Sequence, residues 1–159
     1  MPRAYIGLGA NLKDPAAQVR EALALMASGA GITLVAQSSL YRSAPLGPAE
    51  QPDYCNAACV VDTTLSPGRL LTRLHEVERA MGRERPPLRW APRVIDLDLL
   101  HYGGVKLKTS RLQLPHPELH KRNVVVAPLA EIAPELEIAG LPPLRVLARQ
   151  LGGEGLSAW

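Results

Sequence analysis

The sequence predicts an α+β fold in which helices cover a mostly antiparallel sheet. Short segments with strand periodicity are interspersed with amphipathic helices, in the order strand, helix, strand, strand, helix, strand. Two further helical stretches follow near the C-terminus, and no internal repeat or heptad run is present. This order suits a sheet with helices packed on it, so we predict a ferredoxin-like core with an added hairpin and C-terminal helices.

The first half of the chain supplies the first strand and helix. Residues 5–9 are predicted to form a short buried strand. Asp14 then supplies an N-cap before Pro15, and the helix is predicted to run from about Pro15 to Ala27. Apolar and polar residues alternate over 32–41, which predicts a half-buried strand, and 56–62 is predicted to be another.

The second helix has the clearest boundaries. Ser66 and Pro67 repeat the pattern of a cap followed by proline, and Gly82 ends the helix. Apolar residues recur at helical spacing along one face. They are Leu70, Leu74, Val77 and Met81.

The remaining elements follow from shorter signals. Residues 94–101 are predicted to be a strand, which the two glycines at 103–104 would turn into a hairpin with 105–107. Helices are predicted near 123–132 and 144–151.

Length and composition favour a single domain over residues 1–159. The N-terminus lacks the features of a secretory signal, and no apolar run approaches membrane-spanning length, so we expect a cytoplasmic protein. Cys55 and Cys59 are the only cysteines, four apart in a strand-like stretch. They are interpreted as core thiols, not as a redox or zinc site.

Arginines are concentrated in one short segment. The net charge is only +3, but Arg83, Arg85, Arg89 and Arg93 lie close together. Such clustering indicates a local anionic partner more than a generally basic surface. The alternative is a solvated run of charges with ordinary surface salt bridges.

Asp96 and Asp98 form the most informative pair. Strand alternation places them on one face, with Ile95, Leu97 and Leu99 on the other. Two like charges on one face repel each other unless a cation lies between them. Mg²⁺ is typically held by one or two carboxylates plus substrate phosphates, and the nearby arginines suit phosphate oxygens. The alternative is an ordinary solvated strand face.

Three more residues are candidates for a nucleotide site. Trp90 lies in the proline-rich arginine segment, where it is either a ring over a nucleotide or a core tryptophan. His116 lies between two prolines that restrict the backbone, as suits a phosphate ligand or a structural turn. Arg122 lies near a predicted helix start, where amide donors favour anions.

Six stretches together resemble one known family. They are GLGANL at 7–12, SLYRSAPLG at 39–47, QPDYCN at 51–56, RWAPRVIDLD at 89–98, PHP at 115–117 and PLAEIAP at 128–134. In this order, over nearly the whole chain, they resemble the 6-hydroxymethyl-7,8-dihydropterin pyrophosphokinases of folate biosynthesis. The arginine-to-aspartate stretch is the most specific.

The resemblance implies a ferredoxin-like fold, ATP and the pterin as substrates, and two Mg²⁺ ions bound by Asp96 and Asp98. The pterin hydroxyl would attack the β-phosphorus of ATP, and AMP would leave. Arg83 and Arg93 would act with the aspartates in catalysis. The implied ATP-binding residues are Glu78, Arg83, Arg85, Trp90, Arg93, His116 and Arg122. The implied pterin-binding residues are Ser43, Pro45, Leu46, Tyr54, Asn56 and Asp96.

Three positions depart from the family's usual pattern. Val124 stands where an aromatic ring is common, Ser43 where threonine is usual, and Ala44 precedes Pro45. Loss of a stacking ring removes about 1 kcal/mol beyond burial, so the departures bear on pterin affinity more than on reaction type.

Two rival functions remain open from the residues. A nucleotidyl transferase or cyclase also uses paired aspartates, but it would release pyrophosphate in place of AMP. A nucleic-acid-binding module would need aromatic residues for stacking, and aromatics make up 4% of the chain. We therefore expect no nucleic-acid partner. We also expect no membrane partner and, because nothing in the sequence argues for an oligomer, a monomeric protein.

Overall fold

The computed structural model describes residues 2–44, 51–82 and 94–159. The helices are α1 (Pro15–Ala27), α2 (Pro67–Ala80), α3 (Asn123–Ile132) and α4 (Leu144–Leu151), and a 3-10 turn covers Leu119–Lys121. The strands are β1 (Arg3–Ala10), β2 (Ile32–Gln37), β3 (Tyr41–Ser43), β4 (Tyr54–Thr63), β5 (Asp96–Tyr102), β6 (Leu107–Lys108), β7 (Gln113–Leu114) and β8 (Leu156–Ala158).

The first two helices begin where the capping signals predict. The side chain of Asp14 accepts a hydrogen bond from the Ala17 amide at 3.2 Å, and that of Ser66 accepts one from the Arg69 amide at 3.3 Å. Each cap is followed by a proline in the first turn, where the missing N–H costs nothing. Both predicted helices are confirmed.

All pairings in the main sheet are antiparallel. Its strand order is β5-β1-β4-β3-β8, and β2 also pairs with β4. The elements β1-α1-β2-β4-α2-β5 give the spatial order β5-β1-β4-β2, which is the ferredoxin-like core. Both β2 and β3 lie along the same side of β4, at its opposite ends.

The predicted single strand over 32–41 is wrong, because the chain breaks into β2 and β3 around Ser38. The Ser38 amide donates to the Ala58 carbonyl at 2.9 Å, and the Ser38 hydroxyl accepts from the Ala58 amide at 2.9 Å. A side chain thus replaces a backbone group in the ladder with β4. The hydroxyl also donates to the Ser39 carbonyl at 2.7 Å, and regular pairing resumes at Tyr41.

A hairpin does follow β5, but the predicted pairing of 105–107 with β5 is wrong. Gly104 has φ +76 and the Val105 amide donates to the Tyr102 carbonyl at 3.0 Å, so a turn does follow β5. However, β6 pairs with β7 in a separate two-stranded sheet. Thr109 explains the change, because its hydroxyl accepts from the Leu112 amide at 3.0 Å and its amide donates to the Leu112 carbonyl at 2.9 Å. This turn folds 107–108 onto 113–114.

The sheet has an apolar cluster on each face. On one face, side chains of β1, β4 and β5 pack with α1 and α2, and both cysteines lie buried there as predicted. On the other face, Tyr5, Ala58, Val60 and Leu100 pack with residues of α3 and α4. The second cluster includes none of the residues at 7, 9, 56, 96 and 98, which leaves that part of the face for a site. No helix in the described ranges has the length and hydropathy to span a membrane.

Candidate active site

The site is built around Asp96 and Asp98 on β5. Leu97 and Leu99 are buried in the cluster beneath α1 and α2, so the two aspartates point to the opposite face, as predicted. Both are partly exposed. The two carboxylates therefore share one area of the sheet surface.

Two glycines of β1 lie directly beside the aspartates. In the antiparallel register Gly7 is opposite Asp98, and Gly9 is opposite Asp96. A Cβ added at Gly7 would come within 3.3 Å of a methyl carbon of Leu100, and one at Gly9 would lie 3.5 Å from the side-chain oxygen of Asn56. The floor beside the carboxylates is thus bare backbone. Sequence reasoning missed this role, although glycines at alternate positions of a strand were a usable signal.

A first cavity of about 620 Å³ lies over this floor. It brings together most of the described residues that sequence reasoning assigned to the site. They are Ser43, Tyr54, Asn56, Asp96, Asp98 and Arg122. Val124, the position of the missing aromatic ring, lines the same cavity. Lining residues that were not predicted include Gly7, Gly9, Lys121, Asn123, Leu151 and Glu154.

The polar end of the first cavity is held by a buried pair. Asn56 donates through Nδ2 to the Ser43 hydroxyl oxygen at 2.7 Å, and the two residues are 8% and 7% exposed. Asn11, which is 1% exposed, donates to the carbonyl of Pro52 at 3.2 Å and so holds the segment leading into β4. The Asn56 amide is therefore presented in one orientation beside the cavity.

A second cavity of about 390 Å³ lies on the other side of the aspartates. It is lined by Asp96 and Asp98 again, together with His116. Sequence reasoning missed the polar residues contributed by α2 and by the β6–β7 hairpin. These are His75, Thr109, Ser110, Arg111 and Gln113. Without the register of the hairpin, no pattern in the sequence brings them to β5.

His116 is held in one orientation. Its amide donates to the Leu100 carbonyl at 2.8 Å, and its Nδ1 accepts from the Glu118 amide at 3.2 Å. Burial lowers the pKa of His116, and the positive charge of Arg122 lowers it further. The neutral ring is thus favoured, with Nδ1 as acceptor and Nε2 as the N–H donor.

Glu78 occupies a position that sequence reasoning did not foresee. It is fully buried at 0% exposure, and Oε2 accepts from the Leu97 amide at 2.9 Å. Leu97 lies between the two site aspartates, so this carboxylate holds the strand that carries them. Neither cavity includes Glu78 in its lining, so ATP contact by this residue stays a prediction.

The remaining predicted site residues lie outside the described ranges. They are Pro45, Leu46, Arg83, Arg85, Trp90 and Arg93. Their assignments stay predictions from the sequence.

Known proteins resemble this chain over most of its length. The family model for 7,8-dihydro-6-hydroxymethylpterin-pyrophosphokinase (HPPK) matches residues 5–134. The 2-amino-4-hydroxy-6-hydroxymethyldihydropteridine pyrophosphokinase of Methylorubrum extorquens is 45% identical over 149 residues, 94% of each chain. The Haemophilus influenzae protein of the same name is 42% identical over 150 residues, covering 94% of this chain and 93% of its own.

A solved structure supports the fold alone. The wild-type HPPK-DHPS of Plasmodium falciparum, solved with pteroate, superposes with a TM-score of 0.73 at 14% identity. The match covers 94% of this chain, which spans 42% of that longer one. The family model and the two relatives at 42–45% identity show that this chain belongs to the HPPK family.

Proposed function

We propose that this chain transfers a diphosphate from ATP to the hydroxymethyl group of 6-hydroxymethyl-7,8-dihydropterin and releases AMP. One observation carries the proposal: Asp96 and Asp98 line both cavities. A phosphate donor bound in one cavity and an acceptor bound in the other would meet at these two carboxylates. The two relatives at 42–45% identity are named as pyrophosphokinases of a 6-hydroxymethyldihydropteridine, which supports the proposal.

The first cavity suits the pterin. Its volume of about 620 Å³ lies in the range of small-molecule sites. Tyr54 contributes an aromatic ring to the lining, and Val124 and Val125 add apolar residues. Asn56 carries both a donor and an acceptor, as the amide edge of a pterin requires. The bond to Ser43 holds that amide in position before the substrate arrives.

The second cavity suits ATP. His116, His75 and Arg111 supply nitrogen donors along its lining, and Thr109 and Gln113 add polar groups. Arg111 also donates to the Gly68 carbonyl at 3.2 Å, which holds the hairpin against α2. The predicted phosphate-binding arginines, Arg83, Arg85 and Arg93, and the predicted ring of Trp90 belong to the same proposal.

The donor set at the aspartates fits Mg²⁺ delivered with a nucleotide. Within the described ranges, no group of three or more histidine, cysteine or acidic side chains is arranged to hold a metal. Two carboxylates on one face are nevertheless the protein ligands that Mg²⁺ commonly uses, with phosphates and water completing its coordination shell. We propose that Asp96 and Asp98 hold two such ions, whose charge would stabilise the transferring phosphoryl group.

The protein's own contribution is mainly alignment. In the transfer, a bond forms between the hydroxymethyl oxygen and the β-phosphorus, and the bond from that phosphorus to the α–β bridging oxygen breaks. The hydroxyl proton is lost and AMP keeps the bridging oxygen. Asn56 and Tyr54 would orient the acceptor, His116 and Arg122 would bind phosphate oxygens, and Glu78 would keep β5 in place.

Product analysis tests the proposal. The protein is mixed with ATP, Mg²⁺ and the pterin, and AMP is resolved from ADP and pyrophosphate. Pterin-dependent AMP with equimolar diphosphorylated pterin is expected, and omission of the pterin is the control. Release of pyrophosphate would favour a nucleotidyl transferase or cyclase, and ADP would indicate transfer of a single phosphoryl group. Either result would refute the proposal.

The wider assignments are part of the same proposal. We expect one domain over residues 1–159, a monomer, a cytoplasmic location and no nucleic-acid partner. Sedimentation at several concentrations would check the monomeric state.

A further inference from the structure

The last part of the chain forms one side of the first cavity. After α4 the backbone turns at Gly152 and Gly155, both with φ +74, and then forms β8. Glu154 and Gly155 line the cavity. In the register between β8 and β3, Leu156 is opposite Ser43, the residue that holds Asn56. Residues 152–159 are called the C-terminal wall below.

Asn123 ties this wall to α3. Its Nδ2 donates to the Glu154 carbonyl at 2.9 Å and to the Gly152 carbonyl at 3.2 Å. Both bonds join groups 29 or more residues apart in the chain. Asn123 also precedes Val124, another lining residue, and is itself part of the lining. One side chain therefore sets the distance between two sides of the cavity.

The far end of the wall is held separately. The Trp159 amide donates to the Leu40 carbonyl at 3.1 Å. The Arg42 guanidinium lies 3.9 Å from the centre of the Trp159 ring, a cation–π contact. Both partners lie in or next to β3, the strand that carries Ser43. The wall is thus anchored to β3 at one end and to α3 at the other.

We propose that Asn123 is a positioning residue for the acceptor: by holding the C-terminal wall, it sets the width of the first cavity and hence the affinity for the pterin. The inference rests on the proposed function, which takes this cavity as the acceptor site. The second cavity contains no residue of the wall and does not contain Asn123. Loosening the wall therefore weakens acceptor binding and leaves nucleotide binding unchanged.

Asn123→Asp is the sharpest test, because it keeps the size of the side chain and removes the N–H donors. The new carboxylate faces two carbonyl oxygens and repels them. An acidic residue in the first turn favours the helix, so α3 itself is not weakened by the change. Asn123→Ala removes the same bonds without repulsion. Arg145→Ala is the matched control, because Arg145 on α4 loses a 2.9 Å bond to Glu135 and neither residue lines a cavity.

Steady-state kinetics separate the outcomes. Asn123→Asp and Asn123→Ala are expected to raise the pterin KM about tenfold, the scale of losing one or two hydrogen bonds. The ATP KM is expected to stay within about twofold, and Arg145→Ala to match the wild type. Calorimetric titration of the pterin, with an ATP analogue uncleavable between the α- and β-phosphates, should show the same rise in Kd.

A variant at the other end of the C-terminal wall keeps the inference testable if the Asn123 variants fail to fold. Trp159→Ala removes the contact with Arg42 and is expected to raise the pterin KM about twofold to threefold. An unchanged pterin KM in both Asn123 variants, with an active wild type, would overturn this inference alone. Equal rises in the pterin and ATP KM values would also overturn it, because they indicate general destabilisation. A wild type that forms no pterin-dependent AMP overturns the proposed function instead.

Discussion

Ser43→Ala tests whether the polar end of the first cavity is organised before substrate binds. The change removes the oxygen that accepts from Asn56 at 2.7 Å. Both residues are at least nine-tenths buried, so water does not readily replace the lost partner. The Asn56 backbone keeps its place in β4, but its side-chain amide loses the bond that sets its orientation.

The expected magnitude follows from that unpaired amide. A buried donor left without an acceptor costs about 1–3 kcal/mol of unfolding free energy. For a domain of this size, each kcal/mol lowers Tm by about 2–4 °C. A loosened Asn56 should raise the pterin KM by about fivefold to tenfold, since the orientation must then be fixed during binding. The ATP KM should stay unchanged, because neither residue lines the second cavity.

The assay combines thermal unfolding with kinetics for Ser43→Ala, Asn56→Ala and the double variant. Ser43→Thr is the matched control, because it keeps the hydroxyl oxygen. Coupling between Ser43 and Asn56 should amount to about 0.5–3 kcal/mol in the cycle. Strictly additive effects, or a Ser43→Ala protein with wild-type Tm and wild-type pterin KM, would refute the reasoning.

Three further predictions concern chemistry elsewhere in the molecule. Asp98→Asn should lower kcat by about a hundredfold or more with an unchanged circular dichroism spectrum, and near-normal turnover would contradict the metal assignment. Burial raises the pKa of Cys55 to about 11 and that of Cys59 to about 12, so both thiols should react with a disulfide reagent at pH 8 only after unfolding. Burial also lowers the pKa of His101 and of His116, so their contribution to stability is complete above pH 6.5 and is lost as pH falls through the lowered values. His101→Phe should therefore reduce the loss of unfolding free energy between pH 7 and pH 5 in denaturant titrations, and an undiminished loss would argue against this origin.

Local patterns in the sequence were sufficient for the helices and for the central pair of aspartates. Asp14 and Ser66 signal helix starts through chemistry within three residues, so no distant contact is needed. The alternation at Asp96 and Asp98 is likewise a property of one strand. The break at Ser38 was not predictable, because it depends on a bond to Ala58 on another strand.

The unpredicted parts of the site depend on pairing between distant segments. β8 is three residues long, too short for a periodic signal, and it forms because β3 offers an open edge. Arg111 reaches the second cavity only through the β6–β7 pairing, which the Thr109 turn directs. For Glu78 the resemblance implied only contact with ATP, and its burial and its bond to the Leu97 amide appear only when β5 packs beside α2.

The uncovered part of the sheet has a consequence for the solubility of the protein. Helices α3 and α4 pack over only one section of their face, and a bare apolar sheet surface elsewhere would favour association between molecules. The section outside that cluster instead carries two partly exposed carboxylates beside glycine backbone, with the largely buried Asn56 amide on β4. Apolar replacements at Asp96 and Asp98 would relieve like-charge repulsion. They would also make this surface apolar and so promote association between molecules. The residues proposed for catalysis are therefore also the ones that keep this face hydrated.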